Sequence, residues 1–484
     1  MNSPKDESRI YSGMPLPSAT AVLLLILLTI NAATYYLNAE AFWSSVAVIC
    51  AELIIVFVAS YVTFRQGFTW CSTFLALLAI FHVGYYLPAR LGWIDEINIA
   101  PVSGPLADTA MLLFGAAILS FALGCALTPR RQSPRLRSDA ISDAATARTA
   151  LYAGLFITFL SFVCAFLFVI QIGGPLALLH LSYRDVFNFF ALGGTENTRY
   201  WMSFLEYYPV GLLLVYFGLA ELKAPNKYFR LWGICTVCAV AATLAFGNRG
   251  STILLVVGWA YLRHHMVARL NYKIVGALAA GLIIAIPWIA THRNQRDFSQ
   301  AVLEDAQFDP LAPAVEMGLT YRSLYAMVEL MSDGTPSLDG RSYSEAIKRI
   351  VPLTGSNDVD KFSRTAIWLN KLADVIELAK NGTMGSSGIG EPFVNYGYFG
   401  VVIFFTLLGL GFAALERSFL NKGNLMAGAM LTVMIVPMGF YVRDDISSTL
   451  RACVWPWLLL YIVSKRAALA ALLHRPDHQL SGSA

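Results

Sequence analysis

The chain has 484 residues, of which 57% are hydrophobic and only 14% charged, against about a quarter charged in soluble domains; this excludes a soluble globular protein and leaves a polytopic membrane protein. The formal net charge of +4 is spread over many loops rather than gathered in one stripe, which excludes nucleic acid as a partner. All seven cysteines fall in apolar runs, so no disulfide framework is implied, and Cys235 and Cys238, spaced as CxxC with no second pair or His nearby, read as small apolar helix residues.

A hydrocarbon core about 30 Å thick takes roughly 20 apolar residues per helix. On that rule spans are predicted near 17–37, 42–64, 68–87, 106–127, 149–171, 201–220, 231–246, 251–262, 274–290, 397–415, 425–441 and 446–463. The expected fold is therefore an all-α bundle of about twelve transmembrane helices. The first span has no small-residue cleavage site behind it, so it reads as a retained helix rather than a signal peptide.

Basic residues in short loops set the orientation. Lys5, Arg9, Arg65, the cluster Arg130 to Arg148, Lys223, Lys227, Arg230, Arg263, Arg269, Lys273, Arg417, Lys422 and the run Lys465 to Arg475 occupy one set of alternate loops. Leaving aside the long segment 291–396, the opposite side and the spans it adjoins hold only Arg90, Arg184, Arg199, Arg249, Arg443 and Arg451. Both termini are then cytoplasmic. The division that follows is 1–290 for the first nine helices with short loops, 291–396 for one long outward segment, 397–466 for the last three helices, and 467–484 for a cytoplasmic tail.

Leu231 to Leu262 is 32 residues long with cytoplasmic charges on both sides, whereas two full crossings need roughly 40. The turn Gly247-Asn248-Arg249-Gly250 must then lie below the outer surface, or the membrane must thin there. Irregular backbone at that depth is tolerated only around a cavity, and an arginine there is a functional candidate by default; the plain alternative is a snorkelling Arg at a short hairpin.

The long segment carries ten Lys or Arg and fourteen Asp or Glu between 291 and 400, a balanced mixture expected of a folded piece that caps a site at the bilayer surface. Pro313 to Met331 has an apolar face at Val315, Leu319, Tyr325 and Val328, and Ser342-x-x-Glu345 has the pattern of a capping box. Asp360 to Lys380 repeats Phe362, Ala366, Leu369, Leu372, Ile376 and Ala379 at helical spacing before Asn381-Gly382 stops it. These are short amphipathic helices lying over the membrane domain, and periodicity leaves open whether their apolar faces meet lipid or protein.

Asp358-Val359-Asp360 has the spacing that metal-dependent sugar transferases use, but its place at a helix start favours capping, and no further oxygen ligands are identifiable; no metal and no cofactor are expected. His292, beside Arg293 and Arg296 at a membrane edge, is a candidate general base or an ordinary interfacial His. Glu391 precedes Pro392 at a helix start, with Asn395, a candidate substrate-binding residue, one turn later on the same face; aimed into an outer vestibule, Glu391 is a second candidate base, and capping alone also accounts for it. Arg293, Arg296, Arg322 and Arg443, with recessed Arg249, are candidates for gripping a diphosphate, because guanidinium forks match phosphate geometry. Asp444 and Asp445 offer Arg443 a structural alternative. Glu52, Glu206 and His82, ionisable residues in or near spans, read as polar contacts between helices.

The many-span layout with one long late loop, the Gly247-Asn248-Arg249-Gly250 turn opening one span, and the run from Gly388 through Glu391, Pro392, Asn395 and Gly397 to Gly400 opening another resemble the Wzy-type O-antigen (oligosaccharide repeat-unit) polymerases. The resemblance implies a bacterial inner-membrane glycosyltransferase acting on the periplasmic side. Its partners would be an undecaprenyl-diphosphate-linked donor and acceptor, membrane lipid and a chain-length regulator protein. It would move the growing chain from its carrier onto an incoming repeat unit. Two other readings use the same lipid-linked sugars: an O-antigen ligase with a different acceptor, and a transporter, for which the expected internal repeat is not found.

Overall fold

Inside a bilayer each segment must satisfy its own backbone polar groups, and the described residues are correspondingly helical, with no strand among them. The structure, a computed structural model, describes residues 16–36, 69–95, 101–128, 140–171, 174, 198–245, 250–268, 270, 315, 317–350, 369 and 385–473. Its helices are α1 (Leu16–Tyr36), α2 (Trp70–Arg90), α3 (Pro105–Leu127), α4 (Ala140–Gln171), α5 (Thr198–Glu221), α6 (Asn226–Ala245), α7 (Gly250–Met266), α8 (Thr320–Ser332), α9 (Arg341–Lys348), α10 (Gly390–Leu420), α11 (Leu425–Tyr441) and α12 (Ile446–Leu473).

Ten of these coincide with expected spans, while α8 and α9 belong to the long polar segment. Five stretches among the described residues are long and apolar enough to cross a membrane: Trp70–Arg90, Pro105–Leu127, Ala144–Ile170, Gly390–Leu420 and Ile446–Lys465. The expected spans at 42–64 and 274–290 lie outside the described residues.

Two helix pairs bring their backbones together. Cβ atoms added at Gly124 of α3 or Gly409 of α10 would strike the backbone of the other helix, and α4 and α5 meet in the same way at Gly154 and Gly211. Around these seams α7 and α11 pack on α5, and α12 packs on α11 and α4.

The two ends of the bundle differ. At one end the buried carboxylate of Glu416, near the close of α10, accepts the Trp70 and Cys71 amides at 2.5 and 3.3 Å and the Tyr261 hydroxyl at 3.0 Å, so that it caps α2 and ties α7 to it. Arg417 covers the last carbonyls of α3 by donating to Cys125 at 2.8 Å and to Thr128. At the other end α8 lies across α2, α3 and α10, with Tyr321, Leu324, Met327 and Val328 buried and the Tyr321 hydroxyl donating to the Pro101 carbonyl at 2.8 Å. The question left open for the apolar face of this segment is thereby answered at α8, where it meets protein.

Two local readings are adjusted. The expected helix from Pro313 to Met331 is helical at Val315, Met317 and Gly318 and again from Thr320, with a turn at Leu319 that sets the start of α8. The Ser342-x-x-Glu345 pattern does not cap α9: that helix is preceded by Gly340 in the left-handed region, Ser342 accepts from Asn395, and Glu345 pairs with Arg349 at 2.8 Å. Of the 360–380 stretch only Leu369 is described, and it is buried. Asp358 and Asp360 lie outside the described residues.

Candidate functional site

The beginning of α10 is held by hydrogen bonds within the segment that leads into it and by others from α2, α8 and α11. Ser387 serves as its cap, accepting the Ile389 and Gly390 amides at 3.3 and 3.2 Å. His82 of α2 places Nδ1 3.0 Å from the Leu78 carbonyl, so that nitrogen carries the proton, and Nε2, 3.1 Å from the Ser387 hydroxyl, accepts from it. Tyr441 donates to the Gly388 carbonyl at 2.9 Å, and Ser323 of α8 donates to the Gly385 carbonyl at 2.8 Å. The contact reading of His82 holds. So does that of Glu206, which binds Arg451 of α12 at 2.7 and 2.9 Å.

Glu391 and Asn395 do face one another's turn, but into a packed interface, with only 1% and 2% of their surfaces exposed, so the expected open vestibule in front of them is absent. The Glu391 carboxylate accepts the Ile446 amide at 2.8 Å and so caps α12 rather than its own helix. Asn395 accepts from the Gly340 amide at 2.9 Å and donates to Ser342 at 2.9 Å and to the Glu391 carbonyl at 2.8 Å. This one side chain staples α10 to the start of α9. Tyr343 of α9 lies within electrostatic reach of the Glu391 carboxylate, and burial, the larger cause, together with that charge pushes its phenol well above the usual range.

The acidic pair expected as an alternative partner for Arg443 is engaged elsewhere. Asp445 accepts the Ser447 amide at 3.2 Å, and Asp444 accepts the Asp445 amide at 2.9 Å and the Ser448 hydroxyl at 3.0 Å. Both carboxylates finish the N-terminus of α12. Among the described residues Arg443 makes no ion pair or side-chain hydrogen bond, and its side chain is exposed.

Arg443 also lines a small cleft of about 30 Å³ whose other walls among the described residues are Leu77, Phe81, Gly250, Ile253, Leu254, Met317, Gly439 and Phe440. It is the one charged residue among them. The position arises because α7 and α11 run antiparallel in close contact, with Gly439 against Leu254 and Gly258 against Ile435, which sets the end of α11 beside the start of α7. Gly250, the first described residue after position 249, therefore reaches the same cleft as Arg443. The helix it opens has 17 residues, a rise of about 25 Å, short of a hydrocarbon core of about 30 Å.

Arg322 is half-buried on α8 without a hydrogen-bond or ionic partner among the described residues, and burial lowers its hold on its proton. Arg249, His292, Arg293 and Arg296 lie outside the described residues, as does Glu52. Among the described residues no group of three or more His, Cys, Asp or Glu is placed to hold a metal ion. Sequence reasoning missed Glu416, which looks like a loop residue beside Arg417, and the Ser387–His82 link, which joins positions 305 apart. An acidic residue at the very edge of an apolar span was the only available signal for the first, and nothing signalled the second.

A bundle with several helices long and apolar enough to cross a membrane is that of an integral membrane protein. Residues 19–468 match the family model of the O-antigen polysaccharide polymerase Wzy, and the chain belongs to that family. Its general role is thus O-antigen polymerisation in polysaccharide biosynthesis. No curated protein and no solved structure matches the chain.

Proposed function

We propose that the protein extends a surface polysaccharide at the periplasmic face of the bacterial inner membrane, transferring the growing chain from undecaprenyl diphosphate to the terminal sugar of an incoming lipid-linked repeat unit. The observation that carries this reading is the cleft: its apolar side chains suit contact with a prenyl chain passing beside it, and Arg443 at its edge, without an ion pair or side-chain hydrogen bond among the described residues, suits the diphosphate. Arg249, one residue before Gly250, is the second proposed grip, with Arg322, Arg293 and Arg296 as further cations on the path of the leaving group. The diphosphate is already activated, so cationic stabilisation of the departing charge supplies much of the chemistry without a metal. His292 is the proposed base for the acceptor hydroxyl. Glu391, buried and capping α12, acts by holding Arg443 and the start of that helix in place.

Deleting the gene tests the reading. The surface glycan is expected to shrink to a single repeat still attached to its lipid; unattached full-length polymer would make the protein a ligase, and loss of both would make it an exporter. Orientation is tested separately. Cysteines placed singly at the exposed positions Ser332 and Ser344 in a cysteine-free background are expected to react with a membrane-impermeant thiol reagent in intact cells, whereas reaction only after lysis reverses the topology.

A further inference from the structure

α10 is broken one and a half turns after it starts. Tyr396 has φ −142° and ψ 17°, and Gly397 has φ 65° and ψ −157°, a conformation only glycine takes readily. Below the break the helix carries an apolar stripe, Phe399, Ile403 and Leu407, each about three-fifths exposed as a lipid-facing surface should be. Above it, the short helical piece is fastened to the cap through Asn395 and through the Leu338 amide on the Val394 carbonyl at 2.9 Å. The break throws the Tyr396 ring outward, and 58% of that residue is exposed.

The ring is nevertheless fixed. Its hydroxyl sits over Gly340, where any side chain would collide with it, and its face lies against Tyr343 with centroids 6.1 Å apart and planes 7° from parallel. Tyr343 is backed in turn by Phe404 at 6.0 Å and 21°. The turn beneath the hydroxyl places two successive residues in the left-handed region, Asp339 at φ 47° and Gly340 at φ 82°. A non-glycine residue is held there only where its surroundings insist on it. Asp339 and Arg341, which flank Gly340, are both exposed. The Asp339 carboxylate accepts the Ser337 hydroxyl. A fixed phenol with an open surface, beside a turn whose two residues next to Gly340 are an exposed carboxylate and an exposed guanidinium, is the chemistry that receives a sugar: the ring covers the C–H face of a pyranose, and the charged groups are in reach of its hydroxyls.

We infer that Tyr396, with Asp339 and Arg341, forms a carbohydrate subsite on the cap that holds a pyranose unit of the polysaccharide being extended. The inference rests on the polymerase reading for the identity of the sugar. A tyrosine serving only as a membrane-interface anchor would lack the charged rim and would tolerate any bulky apolar replacement.

The full chain in detergent micelles, titrated with the O-polysaccharide released by mild acid from the strain's own lipopolysaccharide and followed by saturation-transfer NMR, tests it. Wild type and Tyr396→Phe are expected to bind within about twofold of each other, while Tyr396→Leu loses about tenfold in affinity and Arg341→Gln several-fold, with shortened surface polymer in the Leu strain. Arg341 is on the surface, so its variant reports even if the Leu variant folds poorly. Unchanged affinity in both variants, or a wild type that binds no better than Tyr396→Leu, overturns the subsite. Normal polymer in the deletion strain would instead refute the polymerase reading while leaving a measured Tyr396-dependent affinity intact.

Discussion

Arg443→Ala is expected to stop chain extension while leaving the protein folded. The side chain is exposed at the cleft and makes no ion pair or hydrogen bond among the described residues, so the folded state loses little when it is shortened. A bound diphosphate loses its charge-assisted hydrogen bonds, worth about 1.5–3 kcal/mol each, which is roughly 10- to 100-fold in donor affinity for one bond and more for a two-pronged grip. Arg443→Lys keeps the charge but not the fork, so it should fall between the two. Purified protein with a synthetic lipid-linked repeat, assayed for ladder length, reads the effect, and a thermal melt checks the fold. Normal ladders from the alanine variant would remove the diphosphate from this cleft.

Glu416→Leu should have the opposite character, a loss of fold rather than of chemistry. Its carboxylate accepts two main-chain amides at the first turn of α2 and the hydroxyl of Tyr261 from α7, all buried. A leucine leaves three donors with no acceptor in a dry interface, at about 1–3 kcal/mol apiece, for a total on the order of 3–5 kcal/mol after relaxation. Glu416→Gln preserves one carbonyl oxygen and should cost less. Size-exclusion profiles and melting curves of the two variants decide the matter: a leucine variant that is as monodisperse and as heat-resistant as wild type would show that the three donors find other partners.

Helix placement was readable from the sequence because hydrocarbon thickness sets segment length almost independently of packing. The span predicted from 397 begins where α10 breaks, at Gly397, since the apolar run starts only beyond the kink. Side-chain direction was much less readable. Glu391 looked like a helix-start carboxylate aimed at solvent, yet it caps a different helix 55 positions away. Asn395 shares that face and joins α10 to the start of α9, a contact the sequence did not show, because one-dimensional spacing fixes which residues share a face but not what lies opposite that face. The Asp444–Asp445 pair beside Arg443 shows the same limit: three adjacent charges suggested an ion pair, and the fold turns both acids toward the amides of α12. Tyr396 gave no signal as a surface aromatic, since its exposure comes from the backbone break and from the left-handed turn at Asp339 and Gly340.

The glycine seams between α3 and α10 and between α4 and α5 have a bearing on traffic. Where two main chains touch there is no width for an acyl or prenyl tail, so these contacts are walls to anything that arrives sideways from the bilayer. A substrate that keeps its tail in the membrane while presenting its headgroup to the cleft must use some other doorway. Among the described residues the α7 flank shows no such backbone contact, and α7 ends short of full hydrocarbon thickness, which lowers the sill on that side. Two tails carrying donor and acceptor would then pass the same low sill in turn, so chain growth would be gated by the order of arrival rather than by separate ports for the two lipids.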